Sequence, residues 1–199
     1  EIILATTFIG LISLIGVVFL WINEKTFNKI LFWLVSFASG TLLGAAFLDL
    51  LPEASEKIGF PLVLEIVLAS IVVMFLLEKI LSWHHHHGSH SSEKPVGTIN
   101  LIGGAFHNFF DGVAIAASFL TSTELGITTT IAVALHEIPQ ELSDFSLLVY
   151  SGFSKKKALL YNFLSEVLGV IGALSFVYFS SVIEHLEAFG LAFTGGMFV

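Results

Sequence analysis

Seven apolar stretches separated by short polar connections run along the chain, at 2–21, 27–51, 60–83, 96–121, 125–150, 158–180 and 186–199. A helix needs about 20 apolar residues to cross the hydrocarbon of a bilayer. Six of the stretches reach that length, and the seventh is unfinished at Val199. A transmembrane barrel would instead show segments of about ten residues with strict alternation. The pattern therefore predicts an all-α polytopic transmembrane bundle forming a single domain over residues 1–199. Because the chain begins without methionine and stops inside an apolar run, it reads as C-terminally incomplete.

Composition agrees with that reading. The 199 residues are 55% hydrophobic and 12% charged, with a mean hydropathy of +0.92, well above that of a soluble domain. Cysteine is absent, which removes both a disulfide framework and a thiolate metal site. The net charge of -8 owes much to acids lying inside apolar runs. No arginine and no basic stripe occur, which speaks against nucleic acid as a partner.

The connections alternate in charge. Lys25 and Lys29, then Lys79 and Lys94, then Lys155, Lys156 and Lys157 fall on one side, and Lys57 stands alone among Glu53, Glu56, Glu124, Glu184 and Glu187 on the other. By the positive-inside rule the lysine-bearing side is cytoplasmic and the N-terminus is outside, with Trp21 and Trp83 at cytoplasmic helix ends. Phe37-Ala-Ser-Gly-Thr-Leu-Leu43 aligns with Phe193-Thr-Gly-Gly-Met-Phe-Val199 on spans of opposite direction. That is how an inverted repeat of helices 1–3 and 6–8 would read, or a chance likeness between two glycine-rich helices. Ser36, Gly40 and Gly44 form a small-residue face expected to serve close helix packing.

Polar residues inside the spans carry the functional signal. A carboxylate at mid-bilayer costs roughly 2.5 to 3.5 kcal/mol, so lipid-facing Glu137, Glu141 and Asp144 would together cost on the order of 8 to 10 kcal/mol. They must face protein, water or cation. His136, Gln140 and Asp144 recur at i, i+4, i+8, and Glu137, Glu141 and Asp144 at i, i+4, i+7, two adjacent stripes of one helix side. Pro139 removes an amide and crowds the carbonyl of Leu135, which predicts an opened helix beside these groups. The fourth span places His107 and Asp111 one turn apart with Asn108 adjacent. The sixth places Asn162 and Glu166 one turn apart.

Imidazole with carboxylate and amide oxygen suits a borderline divalent cation such as Zn²⁺, Fe²⁺ or Mn²⁺, whereas Ca²⁺ prefers oxygen alone. Asp111, Glu137, Glu141 and Glu166 supply enough carboxylates to bridge two metals. Since imidazole binds metal only when neutral, loading depends on pH.

"HNFFDG" at 107–112 followed by "HEIPQELSDF" at 136–145 resembles the boxes of the ZIP (Zrt/Irt-like) family of divalent metal transporters. The likeness includes "GTLLGAAFLDLLPEA" and "KKKALLYNFLSE". The resemblance implies eight helices with both termini outside, a homodimer in the plasma (inner) membrane, and movement of Zn²⁺ and related ions, Fe²⁺, Mn²⁺ and Cd²⁺ among them, into the cytoplasm. It further implies one metal held by His107, Asp111, His136 and Gln140, and a second by Asn108, Asp111, Glu137, Gln140 and Glu166. Glu141 matches the last acid of the second box. Gln140 stands where that branch usually has histidine, Ser143 where it has glycine, and Ala45 and Asp49 where it often has aspartate and histidine. Asp49 is then a ligand at the mouth of the pathway.

The connection at 84–95 holds His84, His85, His86, His87 and His90. It reads as a mobile cytoplasmic chelator able to receive exiting metal, or as a plain polar linker. His185, in an outer loop, reads as a surface residue. Two other readings compete with a carrier. One is a metal-selective channel using the same ligands. The other is an intramembrane metalloprotease, since "HEIPQ" nearly fits H-E-x-x-H but lacks its second histidine.

Overall fold

The computed structural model describes residues 1–15, 24–86 and 94–199. Among them there is no strand, and the helices are α1 (Ile2–Ile12), α2 (Glu24–Gly44), α3 (Leu51–Ile58), α4 (Phe60–His86), α5 (Lys94–Thr121), α6 (Thr123–Tyr150), α7 (Lys155–Ser180) and α8 (Leu186–Phe198). A π-helical turn, Ala45–Leu50, joins α2 to α3 without a break. Pro52 explains that turn: it has no amide to give Leu48, so the register widens and the Leu51 amide reaches the Ala46 carbonyl instead. Counting α2 and α3 as one rod, the seven apolar stretches become seven helical rods.

The helix ends have local causes. Ser122 and Ser154 cap α6 and α7, their hydroxyls accepting from the Leu125 and Lys157 amides at 3.1 and 3.4 Å. Gly59 and Gly152 take φ of 83° and 86° at the exits of α3 and α6, a region glycine enters without steric cost.

By length and apolarity, three of the described helices are able to cross a membrane: Lys29–Ile58, Phe60–Leu77 and Lys155–Ser180. α1 and α8 are shorter apolar helices. α5 and α6 have 28 residues each, about 42 Å at 1.5 Å per residue. Their polar residues lower their hydropathy, and much of that polarity is turned inward. Exposed Phe, Leu, Ile and Val side chains cover the outward faces of α2, α4 and α7, as lipid contact requires.

α5 is central. It packs on α7, α6 and α8 and also touches α1 and α4, while α4, α3 and the π turn gather around α8. Its Ala114-Ile115-Ala116-Ala117 run is fully buried. At one end of the bundle Lys57 Nζ donates to Thr121 Oγ1 at 3.4 Å and Thr123 Oγ1 donates to Glu1 Oε2 at 3.3 Å. At the other, Gly97 abuts Ser151, close to exposed Lys155, Lys156 and Lys157. Lys57 and the cluster of three lysines thus lie at opposite ends, as the charge alternation requires.

Among the described residues Gly40 and Gly44 meet no close neighbour: nothing lies within 4 Å of a Cβ built at either. The matching glycines of α8 do pack, Gly195 against Leu51 and Gly196 against Ser70 and Val67. His84, His85 and His86 belong to the last turn of α4, and α5 begins at Lys94. His87, His90 and Trp21 lie outside the described residues.

Candidate metal centre

Glycines on facing helices build the site. A Cβ at Gly112 would stand 1.8 Å from the Gly169 carbonyl oxygen, and one at Gly172 would stand 2.1 Å from that of Phe109. α5 and α7 therefore touch backbone to backbone, and only glycine permits it. One turn before these contacts stand Asn108 on α5 and Glu166 on α7. The close approach lets Asn108 Nδ2 donate to Glu166 Oε1.

α6 closes the third side and runs as helix through Pro139. Its His136 Nε2 lies 3.0 Å from His107 Nε2, 3.2 Å from Asp111 Oδ2 and 3.3 Å from Glu137 Oε1. His107 Nε2 lies 3.3 Å from Asp111 Oδ2. His136 Nδ1 is 3.3 Å from the Ala132 carbonyl, an acceptor for the Nδ1 proton that would leave Nε2 free to ligate a metal. Four electron-rich atoms thus meet at one point.

A second group adjoins the first. Ligand atoms of Glu137, Glu141 and Glu166 lie within 4.8 Å of one another, as do those of His107, Asp111, His136 and Glu137. Glu137 is common to both. Asn162 Nδ2 donates to Glu141 Oε2 and reaches the Glu141 carbonyl at 3.4 Å, pinning this carboxylate beside Glu137 and Glu166. Asn108, Asp111, His136, Glu137, Glu141, Asn162 and Glu166 are each 5% exposed or less, and the His107 side chain is 28% exposed. Asn108 Oδ1, Asp111 Oδ1 and both Glu137 oxygens are buried without a hydrogen-bond partner. Buried carboxylates at this density are stable only when cations or protons neutralise them.

The residues expected from the sequence are thus largely brought together: His107, Asn108, Asp111, His136, Glu137, Glu141 and Glu166 share one centre. The grouping differs in detail from the expected ligand sets. Glu137 is the residue shared between the two groups, and Glu141 takes a place beside Glu166. Gln140 is half-buried one turn beyond His136, and Asp49, half-buried in the π turn, belongs to neither group. His185 is exposed beside Glu184, in keeping with a surface role.

The sequence of α1 carries no charged residue to mark it as part of the site. Its Thr6 and Ile9 wall a cavity of about 10 Å³ shared with Asp111, Glu137 and Glu166, room for a single water-sized body. The tight α5–α7 seam has only a faint sequence signal, Gly169 and Gly172 one turn apart just after Glu166.

The chain matches the family model described as ZIP zinc transporter over residues 2–100 and 84–199. A relative named zinc transporter ZIP13, from Pongo abelii, is 35% identical over 186 aligned residues, covering 83% of this chain and 54% of the relative. Zinc transporter YKE4 of Saccharomyces cerevisiae is 35% identical over 160 residues, covering 70% of this chain and 46% of its own length. Human zinc transporter ZIP10 is 37% identical over 130 residues, 59% of this chain and 16% of the relative. The chain therefore spans about half, or less, of the length of these relatives.

Proposed function

Because the chain belongs to the ZIP zinc transporter family, we propose that it carries divalent transition metal, Zn²⁺ foremost with Fe²⁺, Mn²⁺ and Cd²⁺ as related substrates, into the cytoplasm through a binuclear site between α5, α6 and α7. One observation supports this above the others: two donor groups, one with imidazole and one all carboxylate, meet at Glu137. A shared carboxylate is the arrangement that holds two cations a few ångströms apart. The first group, with two imidazole nitrogens and two acids, suits Zn²⁺. The second, all oxygen, suits harder ions or a weaker hold on the same one.

The lysine-bearing end faces the cytoplasm in this reading, with the N-terminus outside, the protein in the plasma membrane and a second copy as partner. Asn108 Oδ1, unpaired beside Glu166, is offered as a ligand of the second cation, and Gln140 as a weak oxygen ligand one turn from His136. The enzyme reading falls, since the family is one of transporters and Gln140 occupies the place of the second histidine in H-E-x-x-H. Carrier and channel share the same ligands; flux that saturates at micromolar metal and slows sharply on cooling marks the carrier.

Uptake of radioactive zinc into proteoliposomes tests the proposal. Wild-type protein is expected to load the vesicles, and a variant carrying both His107→Ala and Asp111→Ala to lose at least nine-tenths of that uptake. Undiminished uptake by the double variant refutes the assignment.

A further inference from the structure

One polar residue of α1 reaches the centre without belonging to either donor group. Thr6 is 4% exposed and lines the cavity of about 10 Å³ together with Asn108, Asp111, Glu137 and Glu166. Its neighbour Thr7 is exposed and lines no part of that cavity. One turn on, a Cβ at Gly10 would meet Glu166 Cβ at 3.6 Å, so α1 lies in contact with the wall that carries Glu166.

The single hydroxyl proton of Thr6 is committed to its own helix, with the Ile2 and Ile3 carbonyls 3.0 and 3.3 Å from Oγ1. Toward the cavity this oxygen can therefore only accept. Such back-bonding is ordinary for threonine in a helix. Thr128 and Thr130 do the same with the Glu124 and Gly126 carbonyls, but they line no part of this cavity. The other polar atoms on its wall are of one kind. Asn108 Nδ2 donates to Glu166 Oε1, and Asn108 Oδ1, Asp111 Oδ1 and both Glu137 oxygens are buried without a partner. With the acids ionised, these side chains offer the cavity acceptors and no donor. A free water in so small a space looks for partners of both kinds. A water on a divalent cation does not, because its lone pair faces the metal and both its protons are for giving.

We propose that Thr6 anchors a water ligand of the second cation in this cavity, its Oγ1 accepting a hydrogen bond from that water. The inference rests on the transport reading above. Harder divalent ions favour octahedral oxygen coordination, and Glu137, Glu141 and Glu166 with the Asn108 amide oxygen leave part of such a shell to water. Thr6 is then a positioning residue, acting on the ion through the water. A water that bridges a protein group and a ligand holds nearly as well as a direct hydrogen bond, so loss of the acceptor loosens the water and the ion with it.

Calorimetric titration of the purified full-length protein with Cd²⁺ tests the assignment on two variants. Thr6→Val keeps the shape and removes the oxygen, and Thr6→Ser keeps the oxygen and removes a methyl. Wild type is expected to take up two ions. Thr6→Val is expected to bind the second at least tenfold more weakly, with the first within threefold of wild type, and Thr6→Ser to bind both within threefold. A role in packing alone gives the reverse order, valine like wild type and serine impaired, and that result overturns the assignment. So does a loss in Thr7→Val equal to that in Thr6→Val, since Thr7 does not line the cavity. Two ions bound by Thr6→Val as tightly as by wild type overturns the role of Thr6 and leaves the centre standing. Fewer than two ions on wild type overturns the binuclear site itself. If Thr6→Val does not fold, Thr6→Ala carries the same test, with the same tenfold loss expected and unchanged binding of both ions counting against Thr6.

Discussion

Replacing Gly112 by alanine tests whether the glycine seam sets the geometry of the metal centre. The added Cβ would stand 1.8 Å from the Gly169 carbonyl oxygen and 2.6 Å from its carbon. Ordinary contact begins near 3.4 Å, so α5 and α7 must part by about 1.6 Å at that point. Asn108 and Glu166 face each other one turn away across the same seam. An opening of that size carries their hydrogen bond beyond bonding range. Overpacking costs about 1 to 3 kcal/mol, and breaking a buried bond to a carboxylate about 1.5 to 3 kcal/mol more. The sum, about 2.5 to 6 kcal/mol, is a large part of the 5 to 15 kcal/mol that holds a typical domain together. Apparent melting temperature in detergent and Cd²⁺ titration of the same sample measure the two consequences. Gly112→Ala is expected to melt several degrees lower and to bind Cd²⁺ at least tenfold more weakly, as the loss of an orienting partner does at metal sites. Gly40→Ala is the control: nothing lies within 4 Å of its added Cβ, and alanine favours helix by up to about 1 kcal/mol, so its melting point should hold or rise. If Gly112→Ala binds and melts like wild type, the seam does not govern the centre.

Asn162→Ala removes the donor that pins Glu141 and is expected to weaken the all-carboxylate group by about 10- to 100-fold. Metal content of the purified protein by mass spectrometry should fall from two ions toward one, and two retained ions would count against that role. Acidification opposes metal binding, because every ligand must be deprotonated and protons compete for the same lone pairs. Affinity should therefore be fully present at neutral pH and fall as pH drops, by about tenfold per unit for each proton released. Cd²⁺ titrations at pH 7.5 and 5.5 check the sign, and equal affinity at both would exclude imidazole from the ligand set.

Much of this protein is written in its periodicities. Apolar runs of membrane length become the rods, because a backbone in hydrocarbon must satisfy its own hydrogen bonds. Four-residue spacing puts His107 above Asp111, and Glu137 above Glu141, because side chains one turn apart share a helix face. Even the candidate centre is legible, since His107, Asp111, His136, Glu137, Glu141 and Glu166, costly to show to lipid, fall on three of the rods.

Which oxygen meets which neighbour is decided only in three dimensions. Glu137 joins two groups because α5, α6 and α7 converge on it, and Asn108 reaches Glu166 because Gly112, Gly169 and Gly172 let two backbones touch. The small residues at Gly40 and Gly44 look alike in sequence yet pack against nothing among the described residues. A one-dimensional pattern tells how a helix is divided into faces. The choice of partner for each face depends on the shape of helices distant in the chain, and that is settled by packing.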